Sequence, residues 1–236
     1  MNSIPQLPGK LRKNDALFMF GAVQQKPFVY TYLQDSVEVV GGPSCKCETE
    51  IRTDMCERDG VPVRERRGGG GTVVLAPGMV VTIVVDDRPQ DFGATDIFAM
   101  IHECMIGLLQ ERGIGGVTRS GISDLAFDDR KILGSSLYMG NRPFLYYYQS
   151  SIIVTAERAL FTRYLTHPPR EPEYRRGRNH DDFCTSFADA GFAVTAEELC
   201  TLFGTRLAGT INRIKTNFFP ALKTVKRPDR ITYGEP

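Results

Sequence analysis

Between Gly121 and Val154 three β-rich runs are joined by two tight turns, Asp128-Asp129 and Gly140-Asn141, and no other stretch limits the fold as strongly. The runs Gly121 to Phe127, Arg130 to Met139 and Phe144 to Val154 predict a three-stranded antiparallel meander. Upstream, Phe28 to Leu33 and Val37 to Val40 read as short strands, the second ended by Gly41, Gly42 and Pro43. Thr72 to Leu75 and Met79 to Val85 are rich in β-branched residues and flank Ala76-Pro77-Gly78, so they predict a β-hairpin.

The helical signals lie apart from these runs. Ile51, Met55 and Cys56 among charged residues predict one short amphipathic helix within Glu48 to Asp59, stopped by Gly60 and Pro62. Thr95 is the expected cap of a helix that carries Ile97, Phe98, Met100, Ile101, Met105, Leu108 and Leu109 and stops at Gly113. Glu157 to Tyr164 predicts a further helix. The last begins at a Thr195/Glu198 capping box, with Val194 stapling onto Leu199 and an apolar face through Leu202, Phe203, Leu207 and Ile211. Thr166 to His180 is a Pro- and Arg-rich loop of a length that usually serves function or forms a lid, and residues after Pro220 read as a loosely held tail. Strands and helices are segregated, so the expected class is α+β, with mostly antiparallel or mixed sheets flanked by helices.

Composition narrows the function classes. At 236 residues, with 42% hydrophobic and 24% charged, the chain suits one folded domain rather than a disordered or fibrous class. Its 29 basic and 28 acidic residues leave a net charge of +1, so no global field points to nucleic acid or to an anionic membrane. No apolar run is long enough to span a bilayer and Met1 to Asn14 lacks a signal-peptide core, which leads to the expectation of a cytoplasmic protein. Six cysteines are too sparse for a disulfide scaffold. Cys45, Cys47 and Cys56 lack the paired spacing and fourth ligand of a zinc site, and His102, His167 and His180 are scattered, so no metal site is expected.

Two segments carry most of the chemical information. In Arg64-Glu65-Arg66-Arg67-Gly68-Gly69-Gly70-Gly71-Thr72-Val73-Val74, arginines run into four glycines and then a strand. Backbone without side chains can lie along an acyl chain or phosphate and offer N–H groups, while arginine supplies contacts to carboxylate or phosphate. The same composition also fits a flexible loop with a solvated basic run. In Asp128-Asp129-Arg130-Lys131-Ile132-Leu133-Gly134-Ser135-Ser136, strand alternation predicts Lys131 and Leu133 on one face with Ile132 and Gly134 on the other. A lysine aimed into a cleft can polarise an acyl carbonyl, although alone it would more often be a surface residue.

The order and spacing of these segments, followed by Tyr146-Tyr147-Tyr148-Gln149-Ser150-Ser151-Ile152-Ile153-Val154, resembles the biotin/lipoate ligase and octanoyltransferase family. The match runs from Val37 to Ile214. Gly69, Gly70 and Gly71 fall on the family's triple glycine, Arg66 on the second arginine of its pair, Lys131 with Gly134 and Ser135 on its lysine motif, and Ser151 with the apolar run after it on its third strand. The loop from Tyr164 to Phe183 is similar to one that follows in octanoyltransferase-like members.

The resemblance implies a class II biotin/lipoate ligase fold in which residues 37–219 form the catalytic domain, residues 1–36 lead into it and residues 220–236 are a tail. It implies transfer of a lipoyl or octanoyl group, through an acyl-adenylate or an acyl thioester, to a lysine of a lipoyl-acceptor protein. Lys131 would be the catalytic residue. Arg66, Arg67, Gly69, Gly70, Gly71, Thr72, Val73, Gly134, Ser135, Gln149, Ser150 and Ser151 would bind the substrate. Lipoate or octanoate would be that substrate, with ATP and Mg²⁺ in the adenylating version. The implied acceptor is a lipoyl domain or a glycine-cleavage H-type protein, with an acyl carrier protein or a separate accessory-domain protein as further partners. The family's His-Asp is replaced by Leu75-Ala76, and its His before Gly-Thr by Tyr148-Gln149-Ser150. No cysteine lies between Lys131 and Val154 to carry a thioester, and Cys184 reads as packing. These departures keep open a catalytically silent module that binds acyl or lipoyl groups, and a biotin-protein ligase relative.

Overall fold

The computed structural model describes residues 12–89, 91–141 and 144–218; the tail expected after Pro220 lies outside them. In chain order the elements are α1 (Asp15–Val23), β1 (Phe28–Leu33), β2 (Glu38–Gly41), α2 (Cys47–Glu50), α3 (Thr53–Asp59), β3 (Val63–Glu65), β4 (Val73–Leu75) and β5 (Met79–Asp87). They continue with α4 (Ala94–Glu111), β6 (Thr118–Ser120), β7 (Asp124–Phe127), β8 (Arg130–Met139), β9 (Leu145–Ile153), α5 (Ala159–Tyr164), α6 (His180–Phe183) and α7 (Ala196–Phe218).

The strands form two sheets, as an α+β chain of this pattern requires. Six strands lie in the order β1-β5-β9-β8-β7-β6, and three lie in the order β3-β2-β4. Every neighbouring pair is antiparallel except β2 with β3. In the larger sheet Val80 and Val84 of β5, with Tyr146, Tyr148 and Ile152 of β9, pack beneath α4 and α7. The alternate residues Met79, Val81 and Ile153 face the smaller sheet and α5. Both faces of β5 are thus covered, which is why it reads as an unbroken apolar run rather than an alternating one.

Several local expectations hold. The α7 cap forms as a reciprocal pair, Glu198 N–H to Thr195 Oγ1 at 3.2 Å and Thr195 N–H to Glu198 Oε2 at 2.9 Å. Helix α4 forms but begins at Ala94, so its cap is Gly93 and not the expected Thr95; the Gly93 N–H donates to Asp96 Oδ2 at 2.9 Å.

Others are overturned. The hairpin expected from Thr72 to Val85 does not form. The turn at Ala76-Pro77-Gly78 exists, but β4 pairs with β2 and β5 pairs with β1 and β9, so the turn carries the chain from one sheet to the other. The single helix expected in Glu48 to Asp59 is split because Ile51 is extended and bridges Leu165, with Arg52 N–H donating to Tyr164 O. Gly121 belongs to the turn between β6 and β7 rather than to a strand. Helix α1 has no counterpart in the sequence reading; its Leu17 and Phe18 pack on Ile83, Val85 and Tyr147.

Candidate active site

The two sheets diverge around a cleft of about 600 Å³. Its floor is the open face of β8 and β9, one wall is the glycine segment running into β4, and the other is the loop from residue 166 to Cys184. Val40, Val74, Leu75, Met79, Val81, Ile153, Phe161 and Leu165 line its apolar part. Lys131, Arg170, Arg175 and His180 also border it, so the lining combines an apolar channel with a cluster of basic groups.

Lys131 owes its aim to a break in the strand pattern. The pairing of β7 with β8 shifts between Leu125 and Ala126, so Leu125 opposes Leu133 and Ala126 opposes Lys131. Ile132 is the extra residue, and Ile132 and Leu133 are both buried in the core on the helix side. A bulge re-aims side chains in this way. Lys131 therefore shares a face with Gly134 rather than with Leu133, and lies over it: a Cβ on Gly134 would come within 2.8 Å of the lysine Cε and Nζ. The expected alternation fails here because periodicity cannot register an added residue. Lys131 Nζ pairs with Asp124 Oδ1 at 2.8 Å, and Tyr174 from the loop wall donates to Asp124 Oδ2 at 2.9 Å. Asp124 was not singled out in the sequence; its signal would have been a carboxylate at the first position of the strand that pairs with the lysine motif.

Arg66 shapes the opposite wall from inside. It is 4% exposed, and its terminal nitrogens donate to Val40 O at 3.0 Å, Gly69 O at 3.1 Å and Gly71 O at 2.8 Å. Burial lowers its pKa to about 10, which leaves it charged at neutral pH. The glycine segment is wrapped around this guanidinium, and Gly42 packs so closely beneath that a Cβ there would lie 2.5 Å from Gly70 O. Gly69 N–H donates to Leu137 O of β8 at 3.2 Å, which ties this wall to the floor. Thr72 donates to Glu50 Oε2 at 2.6 Å and holds the start of β4.

Of the expected binding residues, Arg66, Gly70, Gly71, Thr72, Val73, Gly134, Ser135, Gln149, Ser150 and Ser151 border the cleft with Lys131. Gln149 and Ser151 oppose Ser136 and Gly134 across the β8/β9 ladder and form the floor. Ser135 and Ser150 alternate toward the helices, where Ser135 Oγ donates to Ser123 O at 2.7 Å and lies 3.2 Å from His102 Nε2. Burial pushes His102 down to about 3, so the ring is neutral. Gly69 and Arg67 stand outside the lining. Arg67 turns away to form a two-point pair with Asp15, at 3.0 Å for each contact, between the rings of Phe18 and Tyr138. Cys184 borders the cleft, but burial pushes its thiol up to about 11, which suits packing rather than nucleophilic attack. Among the described residues no group of three or more His, Cys, Asp and Glu side chains could hold a metal ion.

The model of the lipoyl protein ligase A/B catalytic domain matches residues 14–208. The chain belongs to that family. No curated protein matches it, but solved structures share its fold. The bipartite lipoate protein ligase of Thermoplasma acidophilum, studied with its E2 lipoyl domain, superposes with a TM-score of 0.66 at 19% identity, over 88% of this chain and 76% of that one. P. falciparum LipL1 in complex with lipoate gives 0.63 at 17% identity, over 89% of this chain and 53% of its own, so the present chain spans about half the length of LipL1. A lipoate-protein ligase A bound with ATP gives 0.59 at 18% identity, over 82% and 83% of the two chains. The biotin/lipoate ligase resemblance of the sequence and the α+β class are thereby established, on the lipoate side of that family. Among the described residues no helix is long and apolar enough to cross a membrane.

Proposed function

We propose that this protein transfers a lipoyl or octanoyl group to a lysine of a lipoyl-acceptor protein, with Lys131 as the catalytic residue. The observation that carries the reading is the cleft itself, in which an apolar channel and a lysine aimed by a bulge share one lining. The apolar residues would take the hydrocarbon chain. The carbonyl would lie against Lys131, whose ammonium has three donors, of which Asp124 takes one. As the acceptor amine attacks, negative charge grows on the carbonyl oxygen and the ammonium stabilises it. The bond to the leaving group, AMP or a thiolate, then breaks with its electron pair going to that group, and the proton of the acceptor amine passes to the departing thiolate or to water.

ATP fits the adenylating route, because a neighbouring structure holds it. The cleft's buried carboxylate, Asp124, is engaged by Lys131 and Tyr174, so Mg²⁺ would arrive on the ATP phosphates rather than on a cage of protein ligands. The archaeal neighbour and its lipoyl domain support a lipoyl domain or H-type protein as acceptor, with a separate accessory protein as a further partner. A second reading, a silent acyl-binding module, is favoured by Leu75 and Ala76, which bring buried apolar surface where the family has a polar pair.

Intact-mass measurement of an apo lipoyl domain incubated with the protein separates these readings. A gain with lipoate and ATP alone marks a ligase, and a gain with octanoyl carrier protein alone marks an octanoyltransferase. Either gain should fall by about 10²–10³-fold in Lys131→Ala, the usual scale for removing one group that stabilises an oxyanion. No gain under either condition, with lipoate still bound, makes the protein a binding module.

A further inference from the structure

Behind the glycine wall two cysteines stand outside the acyl-transfer chemistry. All six cysteines lie among the described residues, and Cys47 alone is exposed. Cys45 stands two residues before it. The turn hydrogen bond from Cys45 N–H to Gly42 O at 3.0 Å folds Cys45 back against the end of β2, where a Cβ on Gly41 would lie 2.9 Å from Cys45 Sγ. Lys46 between the two is extended, at φ −102° and ψ 91°, so the side chains on either side of it leave the same face of the chain. At full extension two residues span about 7 Å, and Lys46 falls short of that, which brings the two Cα atoms into the separation that a disulfide bridges. The Cys47 thiol is near enough to act on that of Cys45.

Cys45 also touches the cleft wall from behind. Its Sγ lies 3.0 Å from the Thr72 hydroxyl, whose own proton goes to Glu50, so the thiol proton is the one available between sulfur and that oxygen. Glu50 in turn accepts from the Lys46 N–H at 3.0 Å. The order of reaction follows from exposure. Burial holds the Cys45 thiol above its ordinary pKa and keeps it protonated, while Cys47 is open to solvent and meets an oxidant first. A thiol at the surface with a second thiol in reach is the arrangement in which a sulfenic acid is captured as a disulfide.

We propose that Cys45 and Cys47 are a modification site for hydrogen peroxide, which joins them as a disulfide and loosens the glycine wall at Thr72. The Cys47 thiolate attacks the peroxide and the O–O bond breaks. Cys47 becomes a sulfenic acid, and the hydroxide released takes the proton that the Cys47 thiol gave up. The Cys45 sulfur then displaces hydroxide from the Cys47 sulfur, and this hydroxide leaves as water with the Cys45 proton. Both sulfurs are oxidised and both peroxide oxygens are reduced. Thr72 is left beside a sulfur that has no proton to give.

The test uses the intact chain. Protein treated with hydrogen peroxide, blocked with N-ethylmaleimide and read by peptide mass should contain a Cys45–Cys47 disulfide that dithiothreitol reverses. Phenylarsine oxide, which bridges two neighbouring thiols with loss of water and needs no oxidation, should add one phenylarsenic group to untreated wild type and none to Cys47→Ser. Amide exchange over Val73–Leu75 should speed about 3–10-fold in the oxidised wild type, the factor that one ordinary hydrogen bond corresponds to, and stay within about twofold in peroxide-treated Cys47→Ser. Cys47 driven to sulfinic acid while Cys45 remains a free thiol, or arsenical uptake unchanged in Cys47→Ser, overturns the pairing. A disulfide formed with no change in exchange overturns its link to the wall. Each of these failures leaves the acyl-transfer reading as it stands, because the thiol pair does not depend on it.

Discussion

The glycine wall and the loop wall of the cleft face each other over one floor, and each contains a buried arginine. In the glycine wall Arg66 gives its terminal donors to the backbone carbonyls of Val40, Gly69 and Gly71, so the charge is consumed in making the wall. In the loop wall Arg175 is held through Nε and a ring stack, and a terminal donor is left over. Each keeps one buried donor without a partner among the described residues, but in Arg66 it is the inner Nε, while in Arg175 it is a terminal Nη2. The difference also predicts which changes should damage the fold and which should damage the chemistry.

The largest effect on the fold should come from Arg66→Ala. The buried Val40 carbonyl and the part-buried Gly69 and Gly71 carbonyls lose a charged donor together, and hydrogen bonds of this kind are worth about 1.5–3 kcal/mol each when buried, so a loss on the order of 3 kcal/mol is expected. For a chain of this size that corresponds to a fall of roughly 6–12 °C in the unfolding midpoint, readable by circular dichroism. A midpoint within a degree or two of wild type would mean that the glycine segment holds its shape unaided.

Gly134→Ala should reverse the pattern. The added methyl meets the end of the Lys131 side chain, which can swing aside, so stability should fall by less than about 1 kcal/mol. The lysine is displaced from its aim, and transfer should slow by roughly 10–100-fold, because a misplacement near 1 Å is enough for that. Wild-type rates in this variant would contradict the placement of the carbonyl at Lys131.

The smallest effect is expected for Tyr174→Phe, which removes the one hydroxyl joining the loop wall to Asp124. Its loss should cost about 1 kcal/mol, felt mainly as faster proteolysis between residues 166 and 180. Acid should act on the same wall. His180 has a folded pKa of about 4, below its ordinary value, so the folded state resists protonation; stability is full above about pH 6.5 and is lost as pH falls toward 4. The loop should therefore become protease-sensitive in that window before the glycine wall does. Simultaneous opening of both walls would remove the distinction between them.

Much of the cleft was legible from local signals. The glycine run, the lysine motif and the β9 segment, singled out in the sequence, all contribute residues to the cleft lining, and the α7 capping box follows from two residues three apart. The misses share a cause. Thr72 to Val85 has hairpin chemistry, but β4 pairs with β2 and β5 with β1 and β9, partners that lie elsewhere in the chain and that turn chemistry does not name. Arg67 stands beside Arg66 in the sequence, yet Asp15 and two aromatic rings draw it to the far side. Helix α1, DALFMFGAV, has no polar stripe to mark a period, and is recognisable only by what it covers.

By itself, then, the sequence determined the α+β class, the family and the segments that meet at the cleft, because periodicity, turn chemistry and motif order are local properties. The tertiary structure decided the direction of each charge. The bulge at Ile132 turned Lys131 onto the cleft face, carbonyls spent Arg66, and Asp15 removed Arg67, while burial against Phe183 left Arg175 with a donor unpaired. Each outcome depends on which acceptors lie within about 3 Å once distant segments have packed, a distance the order of residues does not contain.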